Sequence, residues 1–267
     1  MASGVAEHEE KKDYIMEHLL DGPDLHTPFG HIHLPHLELF GFDISITRHV
    51  VMMWVASLLL ITVFLISTRR RGIVPRGFAN AAEAIVVYIR DEIAKPNIGE
   101  KDHKKFLPYL LTIFFFVLTC NFLGLIPYGS TATGNVSVTA GLALCTFIMT
   151  QIGGMIHNGV FGYWKNLVPG GLPFPVTLIL IPIELIGLFS KPFALCIRLF
   201  ANMTAGHVII LAILGLIFFF KMYAIALVAV PFTLAIYLLE IFVALIQAYV
   251  FTMLSAVFIG MAVHQEH

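Results

Sequence analysis

The sequence predicts an all-α polytopic membrane protein, and three observations carry that prediction. The 267 residues are 58% hydrophobic with a mean hydropathy of +0.86, above the apolar share of about 45–50% in soluble domains. Apolar runs of about 19 residues or more recur along the chain, which is enough for a helix to cross a hydrocarbon core of about 30 Å. Charged side chains gather between these runs, as they do in membrane proteins.

Charge and cysteine content exclude several classes of function. The formal net charge is −1, and no basic patch is large enough for a phosphate backbone, so we expect no nucleic-acid partner. Cys120, Cys145 and Cys196 all lie inside apolar runs, without the spacing of a disulfide framework or a Cys-x-x-Cys metal site. The amino terminus lacks the basic-then-apolar order of a secretory signal.

Residues 1–47 form a polar, histidine-rich flank. The string HTPFGHIHLPHLELFG places four histidines close together: His26, His31, His33 and His36. Metal binding is one interpretation of this string. Its prolines and its lack of helical spacing favour a solvated or interfacial segment instead.

The first predicted span is 50–68, followed by Arg69, Arg70 and Arg71. Because basic residues remain on the cytoplasmic side, we expect the amino terminus outside and this end inside. Apolar residues then recur at helical spacing over 75–93, interrupted by charges. This pattern predicts an amphipathic helix on the cytoplasmic surface.

Two further spans are predicted at 106–126 and 136–156, separated by a turn of Gly, Ser and Thr residues over 128–135. The second of them leads into a short loop that contains Lys165. If each of the last apolar segments, 172–220 and 222–263, is a single span, the chain has about five membrane helices. The carboxyl terminus is then cytoplasmic.

The stretches 172–220 and 222–263 admit two interpretations. Each is long enough for two spans with a very tight connection, yet neither contains a Gly/Asn/Ser cluster that would mark a hairpin. As one helix, the first would be about 70 Å long and strongly tilted, whereas ordinary tilts average about 20°. Periodicity leaves both open, with Pro192 as a candidate kink.

A polar stripe runs along the first of these stretches. With Arg198 at zero on an ideal helix, Asn202 lies at about +40°, Lys191 at about +20° and Glu184 at about +40°. An arginine inside hydrocarbon costs about 2.5–3.5 kcal/mol even on the lenient scale. The stripe therefore indicates a helix edge that faces water or ions. The alternative is a structural polar seam, with Arg198 paired to a neighbouring helix.

Several strings closely resemble subunit a of the F-type ATP synthase. The most specific are SKPFALCIRLFANMTAGH at 190–207 and QAYVFTML at 247–254. Supporting matches are NFLGLIP at 121–127, VSVTAGLAL at 136–144 and PIELIGLFSKP at 182–192. The resemblance covers about residues 50–265 in the family's order and spacing, and it leaves out the histidine-rich flank.

The resemblance implies an architecture and a set of partners. The last two helices would be long, tilted and packed as a hairpin against a ring of c subunits, with b-type peripheral stalk subunits and the rest of the ATP synthase as further partners. The chain would be a stator subunit that makes and breaks no bonds, without catalytic residues, cofactor or metal. The absence of a GxxxxGK[ST] string agrees, because ATP chemistry would then belong to other subunits.

The resemblance also implies roles in proton translocation. Arg198 matches the family's essential arginine, which separates two offset aqueous half-channels and faces the carboxylates of the ring. The matching positions that line the channels are Glu184, Ser190 and Lys191 on the cytoplasmic side, Asn202 close to Arg198, and Gln247 across from it.

His207 and Glu240 form the last candidate pair. His207 follows Arg198 by nine residues, about 180° around the helix, so we expect it to face away from the ring, towards the outer half-channel. Some family members carry Glu and His at these two positions, so the pair looks swapped here. An acid–imidazole pair is retained, which predicts a proton relay. Gly124 and Asn135 stand where relatives carry carboxylates, so the outer entrance is expected to be lined differently.

Two other classes of function remain as alternatives. A self-contained proton-coupled membrane carrier requires paired broken helices in internal repeats, and no convincing repeat is present. An intramembrane metalloenzyme would use the histidines, but no His-Glu-x-x-His string occurs and the histidines cluster in the polar flank.

Overall fold

The computed structural model describes nine stretches of the chain: 24–27, 30–33, 38–39, 42–43, 45–69, 77–126, 131–165, 174–220 and 223–264. Among these residues, five helices are long and apolar enough to cross a membrane, which confirms the polytopic all-α class. In chain order the helices are α1 (Arg48–Arg69), α2 (Phe78–Tyr88), α3 (Lys95–Ile98), α4 (His103–Leu125), α5 (Val136–Asn158), α6 (Val160–Lys165), α7 (Phe174–Phe220) and α8 (Tyr223–Val263). The five that can span are α1, α4, α5, α7 and α8.

Two short β-hairpins lie in the amino-terminal flank, where the sequence suggests no regular structure. Strands β1 (Asp24–Thr27) and β2 (Gly30–His33) pair antiparallel, and so do β3 (Glu38–Leu39) and β4 (Phe42–Asp43). Two-residue connections suffice for such pairing. The hypothesis that His26, His31, His33 and His36 bind a metal depends on side chains outside the described part of the structure.

The long stretches near the carboxyl terminus are each one continuous helix. Helix α7 has 47 residues and contains Pro182 and Pro192. Helix α8 has 41 residues and contains Pro231. The interpretation of each stretch as two spans with a tight connection is therefore wrong, and the single-helix option implied by the family resemblance is confirmed.

The segment predicted as a surface helix over 75–93 is longer and less regular than expected. A π-helix at Ile89–Ala94 joins α2 to α3 without a break. Asp91 lies within it, 2.8 Å from Arg90 and 2.6 Å from Lys95. Hydrogen bonds from Arg90 and Lys95 hold the pKa of the Asp91 carboxyl well below its usual value, so this turn keeps its negative charge.

The chain divides into two compact units whose boundaries fall inside the long helices. The first unit comprises Met1–Leu59, Leu118–Asn135 and Phe200–Leu245, and the second comprises Leu60–Val117, Val136–Leu199 and Ile246–His267. Each unit takes one part of α7 and one part of α8. In the second unit, buried hydroxyls join three helices: Tyr109 Oη lies 2.8 Å from Thr146 Oγ1, which lies 3.3 Å from Ser255 Oγ.

The carboxyl end of α8 is held tightly within the second unit. Asn158 Nδ2 donates to the carbonyls of Ala262 at 3.2 Å and Val263 at 3.4 Å, which satisfies two carbonyls at the helix end. His264 Nε2 lies 2.7 Å from the carbonyl oxygen of Ile98. A Cβ on Gly260 would collide with the carbonyl oxygen of Asn97, so only glycine permits this approach.

Substituting Gly260 by Ala should destabilise the protein, because backbone on both sides of the contact must separate to admit the methyl group. We expect a loss of about 1–3 kcal/mol, as for other overpacked sites. Thermal unfolding of the detergent-solubilised protein measures it. Gly141→Ala is the matched control, because a Cβ there meets open space. Equal stability of the two variants would contradict the close contact.

Candidate functional site

A buried acid and an imidazole meet in the first unit, at the pair proposed from sequence. Glu240 on α8 is 4% exposed, and its Oε1 lies 2.7 Å from Nδ1 of His207 on α7. The structure therefore brings these two residues together. Their action as a proton relay stays a prediction.

The imidazole of His207 has oxygen atoms at both ring nitrogens. Nδ1 lies 3.1 Å from the carbonyl oxygen of Met203, in addition to Glu240. Nε2 lies 3.0 Å from the carbonyl oxygen of Gly124 and 2.8 Å from Thr131 Oγ1. Three of these four oxygens can only accept a hydrogen bond, whereas the Thr131 hydroxyl can either donate or accept. Such surroundings suit an imidazole that carries a proton on both nitrogens.

His207 and Glu240 make a close electrostatic contact that lacks the alignment of a hydrogen bond. Although Oε1 is only 2.7 Å from Nδ1, neither carboxylate oxygen has an aligned hydrogen-bond donor among the described residues. The Nδ1–H bond is directed instead at the Met203 carbonyl.

Two glycines make room for this cluster. A Cβ on Gly206, next to His207 in the chain, would lie 2.6 Å from Glu240 Oε1 and 2.9 Å from its Cδ. A Cβ on Gly124 would lie 2.8 Å from the Cβ of Thr131. All three distances are shorter than real Cβ contacts, so larger residues at these positions would displace Glu240 or Thr131.

The turn that carries Thr131 is anchored by buried polar groups. Gly134 N donates to the Thr131 carbonyl at 2.9 Å, which closes a single 3₁₀ turn at Ala132–Gly134. Thr133 Oγ1 donates to Asn121 Oδ1 at 2.7 Å, and Asn121 Nδ2 donates to the Ala244 carbonyl at 3.3 Å. These bonds connect the turn to α4 and α8.

Arg198 occupies an exposed position on α7, in the second unit. The helix buries Leu195, Cys196 and Leu199 there, and it leaves Ala194 and Arg198 exposed. The ion pairs among the described residues join other side chains, and none includes Arg198. The guanidinium therefore points away from the packed side of its own unit.

The remaining candidate residues have separate surroundings. Gln247 is buried on α8 and Glu184 is half-buried on α7, while Asn202 is exposed. The Ser190 hydroxyl donates to the Gly187 carbonyl of its own helix at 3.2 Å. Lys191 Nζ lies 5.9 Å from the ring centroid of Phe258, within the range of a cation–π contact.

Three residues of the site were not found from sequence. Thr131 and Thr133 lie in a Gly/Ser/Thr-rich segment that reads as an ordinary turn. Gly206 carries no signal of its own, because glycine is frequent in membrane helices. The described residues contain no group of three or more His, Cys, Asp or Glu side chains placed to hold a metal ion.

Known proteins match nearly the whole chain. The family model described as ATP synthase A chain matches residues 50–260, a range that includes every residue proposed for proton translocation. ATP synthase subunit a of Chloroherpeton thalassium is 52% identical over 267 residues, covering 97% of this chain and 80% of the relative. ATP synthase subunit a 2 of Prosthecochloris aestuarii is 53% identical over 97% of this chain and 82% of its own length. ATP synthase subunit a of Myxococcus xanthus is 53% identical over 84% of this chain and 75% of its own length. The resemblance noted in the sequence is thus confirmed, and the chain belongs to the ATP synthase A chain family.

Proposed function

We propose that this chain is the proton-carrying stator subunit of a rotary ATP synthase in a bacterial plasma membrane. Two offset half-channels would load and unload the carboxylates of a c-subunit ring, with Arg198 separating them. The observation that carries the proposal is the exposed guanidinium of Arg198, which has no ion-pair partner among the described residues. No observation on the described residues favours a self-contained proton-coupled carrier.

The charge of Arg198 has no ion-pair partner among the residues that the structure describes, so we infer one on another subunit. An arginine side chain stays charged at neutral pH. Placing it in hydrocarbon costs about 2.5–3.5 kcal/mol on the lenient scale. A carboxylate presented by another subunit would offset that cost, because Coulomb attraction is stronger in a medium of low dielectric constant.

The surface beside Arg198 favours a closely approaching helix. Ala194, Ala201 and Ala205 are exposed on the same stretch of α7. Small residues let helices approach closely inside a membrane. A ring of helices could therefore slide past this surface and bring its acids within reach of the guanidinium, while b-type peripheral stalk subunits keep the chain from turning.

Rotation follows from the fixed charge. A ring carboxylate that reaches Arg198 is stabilised as an anion and releases its proton to the exit half-channel. After passing Arg198 it takes a proton from the entry half-channel before it faces lipid, where a charge is costly. The same cation repels a proton that would cross directly. Protons then cross only as the ring turns.

His207 and Glu240 would form the relay of the extracytoplasmic half-channel. The 2.7 Å between Nδ1 and Oε1 places the Glu240 carboxylate beside the ring, where it balances the positive charge that the imidazole gains when it takes up a proton. On the cytoplasmic side, Glu184, Ser190 and Lys191 would line the other half-channel, with Asn202 and Gln247 as polar lining nearer the arginine.

Substituting Arg198 by Ala should abolish ATP-driven proton pumping in inverted vesicles, because the ring carboxylates lose the charge that ionises them. Assembly should be unaffected, since Arg198 forms no ion pair within the described chain. Arg90→Ala is the matched control, because Arg90 pairs with Asp91 outside the spans. Coupled pumping at the normal rate by Arg198→Ala would refute the separating role.

Exchanging the two relay residues should be tolerated better than either single change. His207→Glu and Glu240→His each break the acid–imidazole pair, so we expect each to slow pumping by about 10²-fold or more. The double variant restores an acid beside an imidazole and should recover much of the rate. If the two losses simply multiply in the double variant, the residues do not work as a pair.

Gly206→Ala should slow pumping with little effect on assembly, because the added methyl group displaces the Glu240 carboxylate from His207. Gly215→Ala on the same helix is the control, since a Cβ there has no neighbour within 4 Å. Pumping rates of assembled complexes with the two variants give the comparison. Equal rates would show that the close packing of Gly206 on Glu240 does not matter for transport.

A further inference from the structure

Thr131 contacts His207, one of the two relay residues, from the turn before α5. This turn has no role in the transport mechanism proposed above. Thr131 is only 8% exposed, and its Oγ1 lies 2.8 Å from Nε2 of His207. The 3₁₀ turn and the Thr133–Asn121 bond fix the backbone that carries it. The hydroxyl is therefore held against the imidazole.

The two protonation states of His207 need opposite hydrogen-bond partners at Nε2: the protonated nitrogen needs an acceptor, and the unprotonated nitrogen needs a donor. As an imidazolium the ring donates from Nε2, and either the Gly124 carbonyl at 3.0 Å or Thr131 Oγ1 can accept. As a neutral ring with its proton on Nδ1, directed at Met203, it exposes a lone pair at Nε2. That lone pair then faces the Gly124 carbonyl, which cannot donate. Among the described residues that contact Nε2, only the Thr131 hydroxyl can supply a hydrogen.

We propose that Thr131 is a positioning residue of the relay, whose hydroxyl keeps the His207 ring in place through both protonation states. The proposal rests on the relay in the proposed function. When a proton from the half-channel binds the Nε2 lone pair, an N–H bond forms and the Thr131 hydroxyl turns from donor to acceptor; when that N–H bond breaks, the proton returns to the half-channel and the hydroxyl donates again. No bond to Thr131 forms or breaks. The ring thus gains and loses protons without losing its orientation towards Glu240.

Gly124 makes this arrangement possible. A Cβ at position 124 would overlap the Thr131 side chain. The same residue offers its carbonyl to Nε2. The glycine therefore serves the relay through the space it leaves and through its backbone oxygen.

The groups that contact His207 determine which residues could make the rate of transport depend on pH. Helix α8 contributes the Glu240 carboxylate at Nδ1. Helix α4 and the turn contribute the Gly124 carbonyl and the Thr131 hydroxyl at Nε2. Tyr237, the titratable residue one turn before Glu240, donates its hydroxyl to the Leu125 carbonyl at 2.6 Å. Among the described groups that contact the ring, Glu240 alone is ionisable.

The test uses the whole ATP synthase complex, reconstituted with Thr131→Val, which has the same shape without the hydroxyl. We expect proton-driven ATP synthesis to slow by about two- to tenfold, the range that one hydrogen bond supplies. The pH profile of the rate should move to higher pH, because the neutral ring loses its donor while the imidazolium keeps the Gly124 carbonyl. Thr131→Ser should restore both the rate and the profile.

Three controls separate this role from packing and from failure of the relay itself. Thr112→Val removes an exposed hydroxyl bonded to its own helix and should change nothing. His207→Ala should lose transport, and adding Thr131→Val to it should have no further effect. The amount of chain in each purified complex checks assembly.

Each contrary result has a distinct meaning. A Thr131→Val rate and profile like wild type, beside loss in His207→Ala, would overturn the role of Thr131 alone. Loss in Thr131→Ser as large as in Thr131→Val would also overturn it, in favour of packing. Full transport by His207→Ala would overturn the relay of the proposed function, and with it the positioning of His207 by Thr131.

Discussion

The contact between a buried carboxylate and an imidazole sets the requirements for everything around it. An acid in an apolar helix is tolerated only beside a group that can share its charge or its proton. Glu240 meets that need through His207 Nδ1, and the approach is possible because position 206 carries no side chain. The imidazole in turn is held at its far nitrogen by Gly124 and Thr131. Removing any of these parts would alter the contact between the Glu240 carboxylate and the His207 imidazole.

Arg198 satisfies the same requirement in a different way. The carboxylate of Glu240 finds its partner inside the chain, whereas the guanidinium of Arg198 is exposed and has no ion pair among the described residues. An unpaired cation on an apolar surface is costly unless another molecule supplies the anion. A buried pair such as Glu240 and His207 is suited to a proton path within the chain. An exposed cation such as Arg198 is suited to contact with a carboxylate on a moving partner subunit.

The turn before α5 is as important to the site as the long helices. Connecting segments often carry functional residues that a rigid scaffold holds in position. Here Thr133 bonds Asn121 and Thr131 reaches His207. A hydroxyl is suited to this position because it can donate and accept. A carbonyl oxygen in its place could only accept, and a backbone N–H could only donate.

Much of the molecule could be predicted from its sequence, because a bilayer imposes simple rules. Hydropathy and the length of the apolar runs determined the all-α class and the first three of the five membrane helices. The strings around Arg198 and Gln247 were specific enough to indicate the family. The sequence also suggested that His207 and Glu240 form a pair, since the two residues looked exchanged relative to other members.

Only the tertiary structure decided the contacts that depend on residues far apart in the chain. Periodicity could not distinguish one long helix from two short spans over 172–220, since both present the same apolar run. Thr131 lies 76 residues from His207 in sequence, and nothing in a turn of small polar residues shows which side chain will meet a ring. Gly206 and Gly124 likewise contribute by leaving room for Glu240 and Thr131, and the sequence does not show which side chains pack against a glycine. Composition and local pattern determine which segments enter the membrane, whereas the partners of each polar group are set by how the helices pack.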